Sequence, residues 1–159
     1  MKKLLLFAFM AITVNSFAQG VTKNGTIYKD HPYITAVNQV NALMLKGDTI
    51  GMSKFYADTA RFWDSPEPKW YGLKEAMHHW KRIMDMWSFT IKTIGYPDGL
   101  QYDKDPFTVQ SWSRVTATNK KTNKTATFEM VTFDTFDKAG KISSEISYYD
   151  LTAILEAMK

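Results

Sequence analysis

The sequence contains no cysteine, so disulfide bonds, cysteine-based metal sites and thiol nucleophiles are all excluded. Histidine is also scarce, with only three residues, and no two of them stand with an acid at a spacing that suits a metal ion. His78 and His79 are adjacent, and neighbours on a helix point about 100° apart, so they could not bind one metal together. We therefore expect no metal site and no cofactor.

Two signatures of nucleotide and ester chemistry are also missing, namely a glycine-rich phosphate loop and a serine nucleophile elbow. Basic residues are spread along the chain except for the lysines of NKKTNK (119–124), which are typical of a solvated hairpin turn. We expect no nucleic-acid partner. With 45% hydrophobic and 23% charged residues, the 159-residue chain has the composition and length of one globular domain.

The first eighteen residues have the features of a secretory signal peptide. Lys2 and Lys3 precede an apolar run over residues 4–14, and residues 16–18 (SFA) form a small-x-small cleavage site. The apolar run is about half the ~20 residues of a membrane-spanning helix. We expect cleavage after residue 18, no membrane anchor afterwards, and a secreted or periplasmic protein.

Hydrophobic periodicity predicts helices first and strands afterwards, behind an irregular leader over residues 19–31. Pro32 opens the first predicted helix, Gly47 ends it and Asp48 caps the second. The order is that of an α+β domain, in which a curved antiparallel sheet wraps around the N-terminal helices and encloses a cone-shaped cavity. The predicted helices are 32–46, 49–57, 72–87 and 151–159. The predicted strands are 59–64, 88–96, 107–118, 125–136 and 142–149, with a proline-interrupted loop over 65–71.

Several segments in this order resemble the nuclear transport factor 2-like superfamily and, within it, the SnoaL-like proteins. They are KGD between the first two helices, FYADTARFWD, the glycine-led third helix and DKAGKISSEISYYD near the end. The resemblance covers about residues 33–150 and implies a SnoaL-like domain over residues 32–159. It also implies a pocket for a small, largely apolar molecule, but the superfamily contains so many activities that it implies no single reaction.

Asp64 is the candidate general base. The resemblance places it where ketosteroid isomerases hold their proton-shuttling carboxylate, and burial in a cavity would raise its pKa toward a useful value. The alternative is an acid that caps the following Ser-Pro turn, where hydrogen bonds to the charged form would lower the pKa. The oxyanion donors of ketosteroid isomerases fall at Val40 and Thr132 here, so ketosteroid isomerisation itself is not expected.

The last strand carries a second candidate acid, Glu145. Alternation places Glu145 and Tyr149 on one face, with Ile142 and Ile146 on the other. The hydrophobic pattern alone would bury the isoleucines, whereas the resemblance turns Glu145 and Tyr149 toward the cavity. Both arrangements are possible together if a second copy of the chain covers the isoleucines on the outer face of the sheet, so we expect a homodimer.

The resemblance adds Asp134 as a third acid, because SnoaL-like cyclases carry one in this stretch of the chain. Several mostly aromatic side chains are expected to bind the ligand. They are Trp63, Trp80, Trp112, Phe128, Met130, Thr132 and Tyr149.

Three classes of function stay open at this point, and with them the question of whether the protein is an enzyme. The first is an exported pocket protein for a small apolar molecule, with no assigned reaction. The second is a cofactor-free isomerase, cyclase or dehydratase that uses Asp64 as its general base. The third is a non-catalytic structural or interaction module whose cavity is filled by its own aromatic side chains.

The signal peptide generates a direct prediction. We expect the exported protein to begin at Gln19, which removes two lysines and no acid and so lowers the formal charge from +4 to +2. The intact mass of the protein recovered from its natural host checks this, and a mass that includes residues 1–18 would contradict it.

Overall fold

A computed structural model describes residues 23–95 and 97–159, so the predicted signal peptide lies outside the described residues. None of the helices in the described part is long and apolar enough to cross a membrane. The helices are α1 (Pro32–Leu45), α2 (Thr49–Ser53), α3 (Leu73–Met86) and α4 (Thr152–Met158). The strands are β1 (Thr26–Tyr28), β2 (Tyr56–Asp64), β3 (Glu67–Gly72), β4 (Trp87–Thr93), β5 (Asp98–Gln101), β6 (Thr108–Asn119), β7 (Thr125–Phe136) and β8 (Ile142–Tyr149).

The strands form one curved sheet in the order β1-β5-β6-β7-β8-β2-β3, and β4 pairs with β6 beside β5. The pairs are antiparallel except for β2 with β8, which is parallel. The α+β class and the curved sheet predicted from the sequence are confirmed, and the parallel pairing of β2 with β8 departs from the antiparallel sheet that was expected.

Local signals at the helix ends agree with the sequence prediction. Pro32 is the first residue of α1, and the His31 side chain accepts a hydrogen bond from the Tyr33 amide at 3.2 Å. Gly47 ends the helix with φ of 72°, a conformation that favours glycine. Asp48 then caps α2 by accepting a hydrogen bond from the Gly51 amide at 2.8 Å.

The main core lies between α1, α2 and α3 and the concave face of the sheet. Alternate residues of the strands point inward and meet the apolar stripes of the helices. Its buried members are Ile34, Val37, Val40, Met44, Met52, Tyr56, Ala60, Phe62, Ala76, Met84, Phe107, Val109, Phe136 and Ile142.

Two predicted irregular segments contain strands. The leader holds β1, which pairs with β5, a strand that the sequence did not predict. The predicted loop 65–71 is mostly β3, which turns back on β2 so that Asp64 pairs with Glu67 and Phe62 with Tyr71. Pro68 is tolerated there because β3 is the edge strand of the sheet.

The predicted alternation of the last strand is wrong at one residue. Glu145 pairs with Asp134, yet Phe136 pairs with Ile142, so the register shifts by one residue between them. This bulge returns Ile142 to the concave face, where it is fully buried. Glu145 and Tyr149 also face inward, as the family resemblance implied, and Ile146 stays on the outer face.

Two tryptophans expected at the cavity lie on the outer face instead. Trp63 follows the inward Phe62 and packs against Tyr148, with ring centroids 5.1 Å apart. Trp112 lies between the buried Ser111 and Ser113 and is 48% exposed. Because side chains alternate along a strand, the inward phase of its neighbours turns each tryptophan outward.

The aromatic outer face leads us to propose a homodimer in which a second copy covers Trp63, Trp112 and Tyr148. Tyr148→Lys should shift the protein toward the monomer, because a buried lysine without a partner opposes association. Ile50→Lys is the control, since Ile50 is 76% exposed on α2. Light scattering measures both, and a monomeric wild type at micromolar concentration would contradict the dimer.

Candidate functional site

An outer pocket of about 470 Å³ lies between α3, α4 and the ends of strands β2, β3 and β8. This volume is in the range of about 300–1,000 Å³ that is typical of small-molecule sites. Its walls are largely apolar, formed by Ile83 of α3, Trp87 and Phe89 of β4, and Ile154 and Leu155 of α4. The pocket can therefore remove most of an apolar molecule from water.

Asp64 lies in this outer pocket at the end of β2. The Tyr71 hydroxyl donates a hydrogen bond to its carboxylate. Burial raises the pKa of Asp64 and the charge of Glu67 adds to the shift, while the Tyr71 hydrogen bond and His79 lower the pKa and only partly offset it. A raised pKa is the direction that a general base requires, and turn capping would have lowered it.

Tyr149 brings a second phenol to the same pocket. Its ring centroid is 5.7 Å from that of Phe128 on the neighbouring strand. Burial and the nearby charge of Asp64 raise the pKa of Tyr149. The phenol therefore stays protonated at neutral pH and can donate a hydrogen bond.

An inner cavity of about 30 Å³ lies deeper, between α1 and the concave face of the sheet. It has room for about two water-sized groups. Five residues predicted from the sequence line it, namely Trp80, Met130, Thr132, Asp134 and Glu145. The rest of the cone is filled by side chains of the core.

Asp134 and Glu145 are direct cross-strand partners inside this cavity. The Tyr56 hydroxyl donates a hydrogen bond of 2.6 Å to Glu145. Burial raises the pKa of Glu145 to about 7, and the Tyr56 hydrogen bond opposes that rise while the charge of Asp64 adds to it. Burial and the charge of Glu145 raise the pKa of Asp134 well above its ordinary value.

Three aromatic rings lie between the inner cavity and the outer pocket. Tyr56 and Tyr71 both pack against Phe62, with ring centroids 5.0 Å and 5.8 Å from it. Tyr56 lines the inner cavity and Tyr71 lines the outer pocket. The single cavity expected from the sequence is therefore two spaces. The inner one holds Tyr56, Asp134 and Glu145, and the outer one holds Asp64, Tyr71 and Tyr149.

Residues 35–145 match the SnoaL-like domain family. The chain belongs to this family. No curated protein sequence matches this chain.

Solved structures show the same fold at low sequence identity. An LEH-like epoxide hydrolase of M. tuberculosis is 13% identical with a TM-score of 0.61, and the match covers 79% of this chain and 87% of that one. An NTF2-like protein of Burkholderia thailandensis is 21% identical with a TM-score of 0.62, covering 80% and 97%. At these identities the likeness establishes the NTF2-like cone fold and no activity.

The sequence missed three residues that shape the sites of this SnoaL-like domain. The prolines predict a loop at Tyr71, but it lies in β3 opposite the inward Phe62 and therefore also points inward. Tyr56 was placed at the end of a helix that stops at Ser53. The sequence pattern assigns no role to His79, which faces the outer pocket from α3. Within the described residues, no group of three acids or histidines could hold a metal ion.

The buried carboxyls of the SnoaL-like domain predict an unusual pH dependence of stability. Raised pKa values mean that the folded state binds more protons than the unfolded state, so stability falls as pH rises from the unfolded pKa through about 7 for Glu145. We expect the free energy of unfolding to drop by about 2 kcal/mol between about pH 5 and about pH 8.

Glu145→Gln tests this assignment by urea denaturation, because a neutral amide can still accept the Tyr56 hydrogen bond. We expect the variant to be more stable than wild type near pH 8 and to show a weaker pH dependence. Glu156→Gln, on the exposed side of α4, is the matched control and should leave the profile unchanged. A wild-type stability that rises between these pH values would show the assignment to be wrong.

Proposed function

We propose that this SnoaL-like protein is exported and binds a small, largely apolar molecule in the outer pocket. The observation that carries the proposal is a pocket of about 470 Å³ whose apolar walls end in a hydrogen-bonded pair, Asp64 and Tyr71. Apolar walls supply affinity, and a few polar groups supply orientation. The exported location rests on the signal-peptide pattern of residues 1–18.

The polar end of the pocket defines what the ligand must carry. Asp64 accepts hydrogen bonds when ionised, and the Tyr149 phenol donates one. A ligand hydroxyl would donate to Asp64, and a ligand carbonyl would accept from Tyr149. An apolar ring system with one hydroxyl or carbonyl group therefore fits both the walls and the polar end.

Acid/base catalysis in the same pocket is the second candidate function, favoured by the raised pKa of Asp64. In a cofactor-free isomerisation, cyclisation or dehydration, Asp64 would remove a proton from the carbon beside a carbonyl. Tyr149 is one hydrogen-bond donor that this pocket offers to the developing oxyanion. Tyr71 would orient the carboxylate of Asp64.

A purely structural role is the least supported of the three classes. The small inner cavity agrees with a cone that is filled by its own side chains. The outer pocket opposes a purely structural role, because the space between Asp64 and the apolar walls is not filled by any described side chain.

Naphthol, a flat apolar molecule with one hydroxyl, is a suitable probe of the outer pocket. We expect saturable binding by calorimetry, and Ile83→Trp should weaken it about tenfold or more by filling the space between α3 and α4. Ile50→Trp, on the exposed surface of α2, is the matched control. Absence of saturable binding, or equal binding to both variants, would contradict the proposal.

Asp64→Asn tests how much the carboxylate contributes to ligand affinity while the apolar walls stay unchanged. We expect this variant to bind naphthol about threefold to tenfold more weakly, since a charge-assisted hydrogen bond is lost. It should also be more stable than wild type at neutral pH, because folding disfavours ionised Asp64. Unchanged affinity together with lower stability would assign Asp64 a structural role.

A further inference from the structure

The inner cavity has its own opening, away from the outer pocket. It shares Asn41, Ile91, Ser111 and Ser113 with a surface depression of about 190 Å³ between α1 and β4. It shares no lining residue with the outer pocket. The inner cavity and the surface depression therefore adjoin between α1 and β4, at three neutral polar side chains and Ile91.

One side chain in this cavity has no hydrogen-bond partner. Ser111 is only 8% exposed, and its buried hydroxyl makes no hydrogen bond. Nearly all buried polar groups in native proteins have a partner, so the hydroxyl of Ser111 is available to hydrogen-bond a group that enters the cavity. Asp134, which is 4% exposed, lines the same space.

The cavity also lacks a positive charge. No lysine, arginine or histidine is among the described residues that line the cavity or the depression. The titratable groups that act on Asp134 and Glu145 are Tyr56, which donates a hydrogen bond to Glu145, and Asp64, Tyr71 and Tyr149 on the side of the outer pocket. Two carboxylates on directly opposite strand positions repel each other unless one keeps a proton or a cation lies between them.

We propose that the inner cavity is a second binding site, which takes a small ammonium group through the opening between α1 and β4. An ammonium group presents only hydrogen-bond donors, and Asp134, Glu145 and Ser111 present acceptors. The available space suits a group the size of one or two waters and excludes a quaternary ammonium. As the cation enters, a carboxyl group releases its proton to solvent, so total charge is conserved.

The ammonium ion and a protonated primary amine both present a small ammonium group. Titration with each of them distinguishes which one the site binds. The whole protein is titrated with ammonium chloride and with ethylamine hydrochloride at constant ionic strength, and the amide signals of Ser111 and Asp134 are followed by NMR. Saturation by both probes identifies the ion as sufficient, and saturation by ethylamine alone assigns the site to primary amines. Sodium and tetramethylammonium chlorides should give no saturable response.

Proton release distinguishes this site from weak surface binding. Calorimetry in two buffers of different ionisation enthalpy should show protons leaving on binding, and affinity should rise up to about tenfold per pH unit below the pKa of Glu145, about 7. Binding that releases no proton would overturn the proposal, as would a response equal to that of sodium.

Variants locate the site. Asp134→Asn should weaken ethylamine binding about tenfold or more and Ser111→Ala about threefold. The exposed Asp58→Asn and Ser88→Ala are matched controls. If Asp134→Asn does not fold, Ser111→Ala decides alone, and unchanged affinity there would refute the site. Ser111→Ala should leave naphthol binding in the outer pocket intact. Loss of amine binding and loss of naphthol binding therefore test the inner site and the proposed function separately.

Discussion

The pairing of β7 with β8 sets Asp134 directly opposite Glu145 on the concave face, and the chemistry of the interior depends on that placement. Two like charges in a low-dielectric interior cannot both ionise cheaply, so the folded state retains protons that the unfolded chain would lose. Tyr56 stabilises the ionised form of Glu145 through a 2.6 Å hydrogen bond, but burial outweighs it. The register shift before Ile142 fixes the phase, because it lets an apolar residue fill the core while the acid two pairs further along still points inward.

Phe62, Tyr56 and Tyr71 form a partition between the inner cavity and the outer pocket. Each tyrosine donates its hydroxyl to one carboxyl, Tyr56 to Glu145 and Tyr71 to Asp64. The rings pack against Phe62 from β2 and β3, so the division is made by ordinary core packing. The result is a large pocket whose acids are Asp64, Glu67 and Glu75, and a small cavity that holds Asp134 and Glu145. Members of a fold family can differ in chemistry through such partitions while the strands stay in the same order.

Local signals predicted much of the fold, and long-range ones decided the site. Pro32, Gly47 and Asp48 act within a few residues of themselves, so their roles were readable from the sequence. The positions of Trp63 and Trp112 were not, because a one-residue change of phase turns every side chain of a strand to the other face. Tyr71 was missed because two prolines indicated a loop, and only the free edge of β3 makes Pro68 acceptable in a strand. The bulge before Ile142 depends on pairing with β7, which no pattern within β8 reveals.

The two spaces are not independent, since their acids act on each other across Phe62. The charge of Asp64 raises the pKa of Glu145, and an electrostatic interaction of this kind is reciprocal. A ligand that holds Asp64 ionised in the outer pocket would therefore favour the protonated form of Glu145. A cation between Asp134 and Glu145 would instead relieve the repulsion and favour ionised Asp64. Occupation of the inner cavity would thus make Asp64 a better hydrogen-bond acceptor, and by reciprocity cation binding is strengthened when the outer pocket holds a ligand that keeps Asp64 ionised.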